Sequence, residues 1–158
     1  MVKCTLITLG SLKEDHLTAA VEEYKKRLSA FCAVEEINLK DERLISESPS
    51  EIVAALEKEA DKILAKIPEG AYTIALCVEG KALTSEELAA LVGEARDKKG
   101  RFCFIIGSSY GLSPRVKQRA DARISFSKMT FPHGLMRVIL TEQIYRAFTI
   151  LAGKKYHK

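Results

Sequence analysis

The chain has 158 residues, with 47% hydrophobic and 29% charged side chains and a net charge of +4. This length and composition suit one globular domain and exclude wholesale disorder, and no run approaches the roughly 18 apolar residues of a membrane-spanning helix. The first ten residues hold too short an apolar stretch for a signal peptide and no small-residue cleavage site, so we expect a cytoplasmic protein.

Predicted strands and helices alternate along the chain. Strands are predicted where apolar and β-branched residues run together, at residues 2–9, 31–39, 72–78, 102–106 and 123–126. Helices are predicted where apolar residues recur at helical spacing, at residues 14–30, 48–67, 84–100 and 132–152, with a short one after residue 113. This alternation indicates an α/β fold: one domain over residues 1–158, with a mostly parallel sheet of five to six strands and helices on both faces.

Capping residues support these helix boundaries. Three helices are predicted to start at a serine or threonine cap, at Ser48, Thr84 and Ser113. A proline follows the first and third caps, and a glutamate stands three residues after Thr84, as in a capping box. The last helix is predicted to stop at Gly153.

Cysteine and histidine spacing gives no metal site. The chain has no C-x-x-C pair, and its four cysteines lie apart in apolar stretches, at Cys4, Cys32, Cys77 and Cys103. The three histidines are also scattered, at His16, His133 and His157. We therefore expect small buried thiols in a reducing compartment and no zinc site.

The positive charge is concentrated in the last third of the chain. Residues 114–158 contain ten Lys or Arg side chains and two acidic ones, Asp121 and Glu142, so the remainder of the chain is net negative. Such a split favours a polyanionic partner for the C-terminal region, although a solvated basic face without a partner is the alternative.

In a parallel sheet, ligands bind beyond the carboxyl ends of the strands, so the informative loops follow the third, fourth and fifth strands. The first, Glu79–Lys81, is predicted to be a plain turn. The second, Gly107–Pro114, has two glycines that let the backbone approach a ligand, but it lacks the P-loop and dinucleotide fingerprints. The third, Ser125–Gly134, mixes hydroxyls, a lysine, a methionine and aromatics, which suits wrapping an adenine through backbone groups.

The second loop also supports an alternative. Gly107-Ser108-Ser109-Tyr110-Gly111 matches the G-x-S-x-G nucleophile elbow, with Ser109 as the nucleophile. Asp121 and then His133 or His157 follow in the order of that hydrolase class. However, the next helix starts several residues after Ser109, whereas the nucleophile itself opens the helix in an elbow. A serine hydrolase stays an alternative.

The last predicted helix is apolar over most of its surface. One face packed on a sheet does not need so many apolar residues, so burial against a second subunit is indicated. Glu142 and Arg146 lie four residues apart and are expected to pair on the helix surface. The final residues, Lys154–Lys158, are either a disordered basic tail or a segment that contacts a nucleotide by stacking and phosphate binding.

Two C-terminal motifs carry a family resemblance. They are Phe104-Ile105-Ile106-Gly107-x-x-x-Gly111-Leu112-Ser113 and Ser125-Phe126-Ser127-Lys128-Met129-Thr130-Phe131-Pro132-His133, extended by Arg137-Val138, Glu142 to Phe148 and Tyr156-His157. With the turn Leu76-x-x-x-Gly80-Lys81, the chain resembles the RlmH family of SPOUT methyltransferases over essentially its whole length. Members of that family methylate N3 of pseudouridine 1915 in 23S ribosomal RNA, with S-adenosylmethionine as the donor.

The resemblance implies a SPOUT-type fold with a C-terminal trefoil knot and an obligate homodimer. Carried over by position, it implies a cofactor pocket lined by Leu76, Gly107, Phe126, Ser127, Lys128, Met129, Thr130 and Phe131. It also implies that four candidate catalytic residues lie near the RNA: His133, Arg137, Tyr156 and His157. His133 or His157 is a candidate acceptor for the N3 proton, and Arg137 is a candidate for stabilising the anionic base.

The sequence departs from the family at Ser108, where members usually have a second glycine. A Cβ at this position narrows the pocket or restricts the loop, yet the first and last glycines of the loop remain, so we expect donor binding to survive. An RNA-binding module that has lost catalysis is a further alternative.

Overall fold

A sheet of five parallel strands forms the centre of the molecule, and the computed structural model describes all of residues 1–158. The strands are β1 (Val2–Leu9), β2 (Cys32–Leu39), β3 (Tyr72–Ala82), β4 (Arg101–Ile106) and β5 (Ala122–Ser125). The helices are α1 (Asp15–Leu28), α2 (Pro49–Leu64), α3 (Ser85–Lys99), α4 (Pro114–Arg119) and α5 (His133–Leu151). The strand order is β2-β1-β4-β3-β5, and every neighbouring pair is parallel.

Helices cover both faces of the sheet, as the α/β pattern predicts. Helices α1, α3 and α5 pack on one face, over a core that includes Leu6, Phe102 and Phe104. Helices α2 and α4 pack on the other face, over Ile7, Cys103 and Ile105. Strand β4 is buried from its second residue onward because it lies between β1 and β3 with both of its faces covered.

The three predicted helix caps are confirmed. The hydroxyl of Ser48 accepts a hydrogen bond from the Glu51 backbone N–H, and Ser113 caps α4 in the same way. Thr84 and Glu87 form a complete capping box at the start of α3. The capping residues therefore predicted where these helices start. The predicted ends are less accurate, because α1 ends two residues and α2 three residues before the predicted position.

Strand β3 is longer than predicted. The predicted turn at Glu79–Lys81 is wrong, because β3 continues through it to Ala82. Both Leu76 and Lys81 pair with Ile124 of β5, so the strand bulges between them. Gly80 permits this bulge, because a Cβ there would lie only 2.6 Å from the backbone carbon of Ile124. The close approach that this glycine allows is to β5 and not to a ligand.

The apolar character of α5 is largely explained inside the chain. This helix packs between α1 and α3, so it buries residues on more than one side, among them Leu140, Ile144 and Phe148. Leu135 and Leu151 keep 38% and 36% of their surface exposed near its two ends. The excess of apolar residues thus reflects a central position in a three-helix layer.

Candidate active site

Strand order brings two loops together at the carboxyl edge of the sheet. Strands β4 and β5 flank β3, so the loop after β4 and the segment after β5 lie on either side of β3, which itself continues to Ala82. Leu76 is half-buried in β3 and pairs with Ile106 at the end of β4. The strands thus place Leu76, Gly107 and the start of the segment 126–131 on neighbouring positions of one edge.

The β4 loop (residues 107–111) is a tight turn. The Gly111 backbone N–H donates to the carbonyl oxygen of Ser108 at 2.9 Å, and Gly111 has a φ of +89°, which favours glycine. A Cβ at Gly107 would overlap the carbonyl oxygen of Gly111. Both glycines are therefore needed to close the loop on itself.

The β5 segment (residues 126–132) connects the edge strand β5 to the start of α5. The N-terminus of α5 lies at the end of β1, three strands away, so the segment spans about 14 Å at a spacing of ~4.8 Å per strand. Phe126 packs against the core, whereas Lys128, Met129 and Thr130 are exposed. Such a segment offers backbone groups to a ligand, and the trefoil knot implied by resemblance stays a prediction.

His133 and Arg137 meet at the carboxyl end of β1. His133 Nε2 donates to the carbonyl oxygen of Leu9 at 2.6 Å, and Arg137 Nη2 donates to the same oxygen at 3.1 Å. Arg137 also donates to the carbonyl oxygen of Gly10 and lies 3.7 Å from a carboxylate oxygen of Glu36. The predicted pair is one helical turn apart at the start of α5, so both side chains reach the same strand end.

Burial lowers the pKa of both His133 and Arg137. It lowers the pKa of His133, and the hydrogen bond to Leu9 opposes the shift only in part, so the ring is neutral near pH 7 with its Nε2 proton held by Leu9. Burial also lowers the pKa of Arg137, opposed by Glu36, but a guanidinium stays charged near neutral pH. The Arg137 side chain is only 4% exposed, and its buried Nε has no partner.

Tyr156 and His157 lie in a second cluster. The tail (residues 152–158) folds back along α5, and the Tyr156 hydroxyl donates to a carboxylate oxygen of Glu142 at 3.0 Å. His157 contacts Arg146 through Nδ1 and Glu86 through Nε2, at 3.1 and 2.7 Å. Burial and the contact with Glu142 raise the pKa of the Tyr156 hydroxyl. The alternative of a disordered tail is therefore wrong for these two residues.

The four candidate catalytic residues do not come together within one chain. His133 and Glu142 are nine residues apart on α5, which corresponds to about 13 Å at 1.5 Å per residue. His133 and Arg137 lie at the end of β1, whereas Tyr156 and His157 lie against the middle of α5 and the start of α3. The predicted ion pair between Glu142 and Arg146 is confirmed and belongs to this second cluster.

The serine hydrolase alternative is not assembled. Ser109 is exposed in the β4 loop and makes no side-chain hydrogen bond with a histidine. Asp121 accepts a hydrogen bond from the Thr73 backbone N–H, and both candidate histidines have other partners. Helix α4 begins five residues after Ser109, so Ser109 does not lie in a nucleophile elbow.

Sequence reasoning missed the acid that holds the β4 loop. The hydroxyl of Ser108 donates to Glu59 Oε1 at 2.8 Å, and Glu59 is buried on α2 with 3% of its surface exposed. The sequence does indicate that Glu59 is buried, because it lies four residues from both Ala55 and Ile63 on the apolar stripe of α2. An acid at such a position needs a buried partner.

About half of the basic residues in the last third of the chain are engaged. Four of the ten form ion pairs with acidic side chains: Arg115, Lys117, Arg137 and Arg146. Lys128 is exposed in the β5 segment, and Lys154 lies over the ring of Phe31 at 4.7 Å. The positive surface near the candidate site is therefore smaller than the residue count indicates.

Comparison with known proteins identifies the family. A family model described as "Predicted SPOUT methyltransferase" matches residues 2–157. The chain belongs to the SPOUT methyltransferase family. Methyltransferases of this family use S-adenosylmethionine, so the loops at the carboxyl edge of the sheet are candidates for the donor site.

Similar proteins match over nearly the full length. The protein named Ribosomal RNA large subunit methyltransferase H from Bacillus pumilus (strain SAFR-032) is 48% identical over 158 residues, covering 98% of both chains. The protein of the same name from Clostridium novyi (strain NT) is 49% identical over 156 residues, again covering 98% of both.

Two solved structures support the fold alone. A probable methylase family protein from Haemophilus influenzae Rd KW20 has a TM-score of 0.55 at 12% identity, covering 98% of this chain and 70% of that one. A protein from a study of 2-OH methylation of C/U34 on tRNA has a TM-score of 0.51 at 16% identity, covering 97% and 99%.

No three His, Cys, Asp or Glu side chains lie close enough together to hold a metal ion. No helix is long and apolar enough to span a membrane.

Proposed function

We propose that this protein transfers a methyl group from S-adenosylmethionine to N3 of a pseudouridine in 23S ribosomal RNA. One observation carries the proposal: the β4 loop, the β5 segment and the His133–Arg137 pair converge on one edge of the sheet of a SPOUT methyltransferase. Relatives at 48% and 49% identity named as methyltransferases of large-subunit ribosomal RNA support the choice of substrate.

The residues at this edge suit the donor. Leu76 and Phe126 offer half-buried apolar surface, and the exposed backbone of the β5 segment offers hydrogen-bonding groups for an adenine. Leu76, Gly107 and residues 126–131 would hold S-adenosylmethionine between the strand ends. When bound, it supplies a methyl group that is already electrophilic, so the main task of the protein is to hold the RNA base in line with that methyl group.

His133 is the proton acceptor in this proposal. Its Nε2–H is committed to the Leu9 carbonyl oxygen, and its lowered pKa keeps the ring neutral, so Nδ1 carries a free lone pair. Nδ1 takes the proton from N3 as N3 attacks the methyl group. Arg137 places a fixed positive charge one helical turn away, where it favours the anionic form of the base.

Tyr156 and His157 contact the RNA in this proposal and take no part in proton transfer. Both are tied to acidic side chains on the outer side of α5 and α3, away from the end of β1. Lys128 on the exposed β5 segment is placed to meet a phosphate. A flipped or unstacked base of an RNA loop then reaches the candidate site.

The protein acts as a homodimer in this proposal. The support is exposed apolar surface at the start of α5, where Met129 in the β5 segment and Leu135 in the first turn of the helix keep 73% and 38% of their surface exposed and a partner would cover them. Light scattering coupled to size-exclusion chromatography measures the assembly directly. A mass of one chain at micromolar concentration would reject the dimer.

Donor titration and methyl transfer test the function. Calorimetry with S-adenosylmethionine is expected to show saturable binding near one site per chain, and the protein is expected to methylate ribosomes that lack the modification.

His133→Ala is expected to lose turnover by at least 100-fold while keeping its donor affinity, and His16→Ala, at an exposed site, serves as the control. Absence of donor binding at millimolar concentration would reject the methyltransferase.

A further inference from the structure

Ser108 follows Gly107 in the β4 loop, and its hydroxyl has a specific partner. It donates to Glu59 Oε1 at 2.8 Å, across 49 positions of sequence. Glu59 Oε2 accepts from the Glu42 backbone N–H at 3.0 Å. One carboxylate on α2 therefore ties the β4 loop to the 40–48 segment, the stretch between β2 and α2.

Glu59 is an unusual residue to bury. It is 3% exposed, and none of its oxygens forms an ion pair. A buried carboxylate without a cation costs folding free energy that two hydrogen bonds offset only in part. A leucine on this apolar stripe of α2 would avoid that cost. The acid therefore has a role other than packing.

The surroundings of the loop explain what that role is. A cavity of about 480 Å³ lies between the 40–48 segment, α2 and Ser108–Tyr110, so no packed side chains support the loop from this side. Only two side-chain hydrogen bonds cross to the loop there, from Ser108 to Glu59 and from the Tyr110 hydroxyl to Glu47 at 2.8 Å. Tyr110 and Glu47 are exposed, whereas the bond from Ser108 to Glu59 is partly buried and Glu59 is only 3% exposed, so this bond is the stronger of the two.

We propose that Glu59 is a positioning residue for the methyl donor, acting through Ser108 to fix the backbone of the β4 loop in its donor-binding shape. The inference rests on the proposed function, in which Gly107 of this loop contacts S-adenosylmethionine. It also gives the Ser108 hydroxyl a role, because its bond to Glu59 restrains the loop backbone next to Gly107.

Three variants separate positioning from packing. Glu59→Leu removes both hydrogen bonds while filling a similar volume; the loss of the acceptor for the Glu42 N–H offsets the gain from removing a buried carboxylate, so the variant is expected to fold with a urea midpoint close to that of the wild type. Ser108→Ala removes only the bond on the loop side. Glu59→Gln keeps two hydrogen bonds without charge, since its amide can donate to Ser108 Oγ and accept from Glu42 N–H, and is expected to restore binding.

The measurement is the Kd of S-adenosylmethionine by calorimetry, with the KM values of donor and RNA in the methyl-transfer assay. Glu59→Leu and Ser108→Ala are each expected to weaken donor binding by about three- to tenfold and to raise the donor KM, with the RNA KM unchanged. The double variant is expected to lose no more than Glu59→Leu alone, because both changes remove one bond.

Glu57→Leu is the matched control. Glu57 lies on the same helix and also accepts from a serine hydroxyl, that of Ser113 at 2.5 Å, but Ser113 caps α4 beyond the β4 loop. Donor affinity within twofold of wild type is expected for this variant.

Three results would overturn the inference, and they are distinguishable. If the wild type binds donor and Glu59→Leu and Ser108→Ala bind it equally well, Glu59 does not position the loop. If the wild type itself binds no donor, the proposed function fails and the inference fails with it. Equal donor losses in Glu57→Leu and Glu59→Leu would show a general effect of α2 and would also reject the inference.

Discussion

His133 and Arg137 donate to one carbonyl oxygen, that of Leu9 at the end of β1. A carbonyl oxygen has two lone pairs, so both bonds are satisfied at once. The first turn of α5 is thereby fixed to the strand end that lies beside the β4 loop. The same bond to Leu9 leaves Nδ1 as the only free nitrogen of the His133 ring.

The burial of His133 predicts a dependence of stability on pH. Its folded pKa is lowered, so below the ordinary value of about 6.5 the unfolded chain binds a proton that the folded chain binds less readily. The free energy of unfolding should therefore fall as the pH drops from 7.5 to 5.5. Urea titrations of His133→Gln across this range should show a flatter slope, because glutamine keeps a donor for Leu9 and does not titrate.

His16→Gln is the control for that experiment, since His16 is exposed on α1. It should keep the slope of the wild type. A slope for His133→Gln that equals the wild-type slope would show that His133 does not titrate differently in the two states.

The buried guanidinium of Arg137 predicts a large loss of stability on truncation. Arg137→Met leaves the Leu9 and Gly10 carbonyls without this donor and Glu36 without its cation, so we expect the free energy of unfolding to fall by about 2–4 kcal/mol. Arg137→Lys should lose less, because an ammonium keeps the charge but cannot reproduce the planar fork. Equilibrium urea unfolding measures both.

Arg119→Met provides the comparison, because Arg119 is exposed and belongs to none of the ion pairs. Its unfolding free energy should stay within about 0.5 kcal/mol of wild type. If Arg137→Met also kept its unfolding free energy within about 0.5 kcal/mol of wild type, the Arg137 guanidinium would contribute no net stability.

Sequence patterns predicted the parts of this fold that depend on neighbours in the chain. The continuous apolar run of β4 predicted a strand buried on both faces, and Thr84 with Glu87 predicted the start of α3. The placement of the β4 loop and the β5 segment at one edge also followed, because parallel strands end on one edge of a sheet, whereas the loop predicted at Glu79–Lys81 is part of β3.

Other features depend on partners that are distant in sequence. Gly80 was predicted to lie in a turn, because the approach of Ile124 is not visible in the local pattern. The positions of the candidate site residues were carried over by resemblance. Periodicity alone does not show that Arg137 reaches the Leu9 carbonyl or that Glu59 receives Ser108. A polar residue on an apolar helix face shows only that some partner exists.

Ion pairing predicts which lysines contribute to RNA binding. Lys128 is exposed without an acidic partner, whereas Lys117 pairs with Glu79. If Lys128 meets a phosphate, Lys128→Gln should reduce the slope of log K against log salt by about 0.7–0.9 for binding to the ribosomal RNA substrate. Lys117→Gln should leave that slope unchanged. Filter-binding or anisotropy titrations at several salt concentrations measure it, and equal slopes for Lys128→Gln and wild type would remove Lys128 from the interface.

Gly80→Ala tests whether the bulge in β3 holds the start of the β5 segment. The added Cβ would lie 2.6 Å from the Ile124 backbone, which cannot move as a side chain can, so we expect a loss of about 2–3 kcal/mol in unfolding free energy. Gly93→Ala in α3 is the matched control, because its Cβ would meet only the side chain of Leu151, at 3.0 Å, and alanine favours a helix. That variant should be neutral within about 1 kcal/mol.

Gly80→Ala should also weaken donor binding at temperatures where the variant is still folded, because Ile124 lies two residues before Phe126 of the candidate donor site. Equal stability of Gly80→Ala and Gly93→Ala, measured by urea unfolding, would show that β3 and β5 can separate at the bulge without cost.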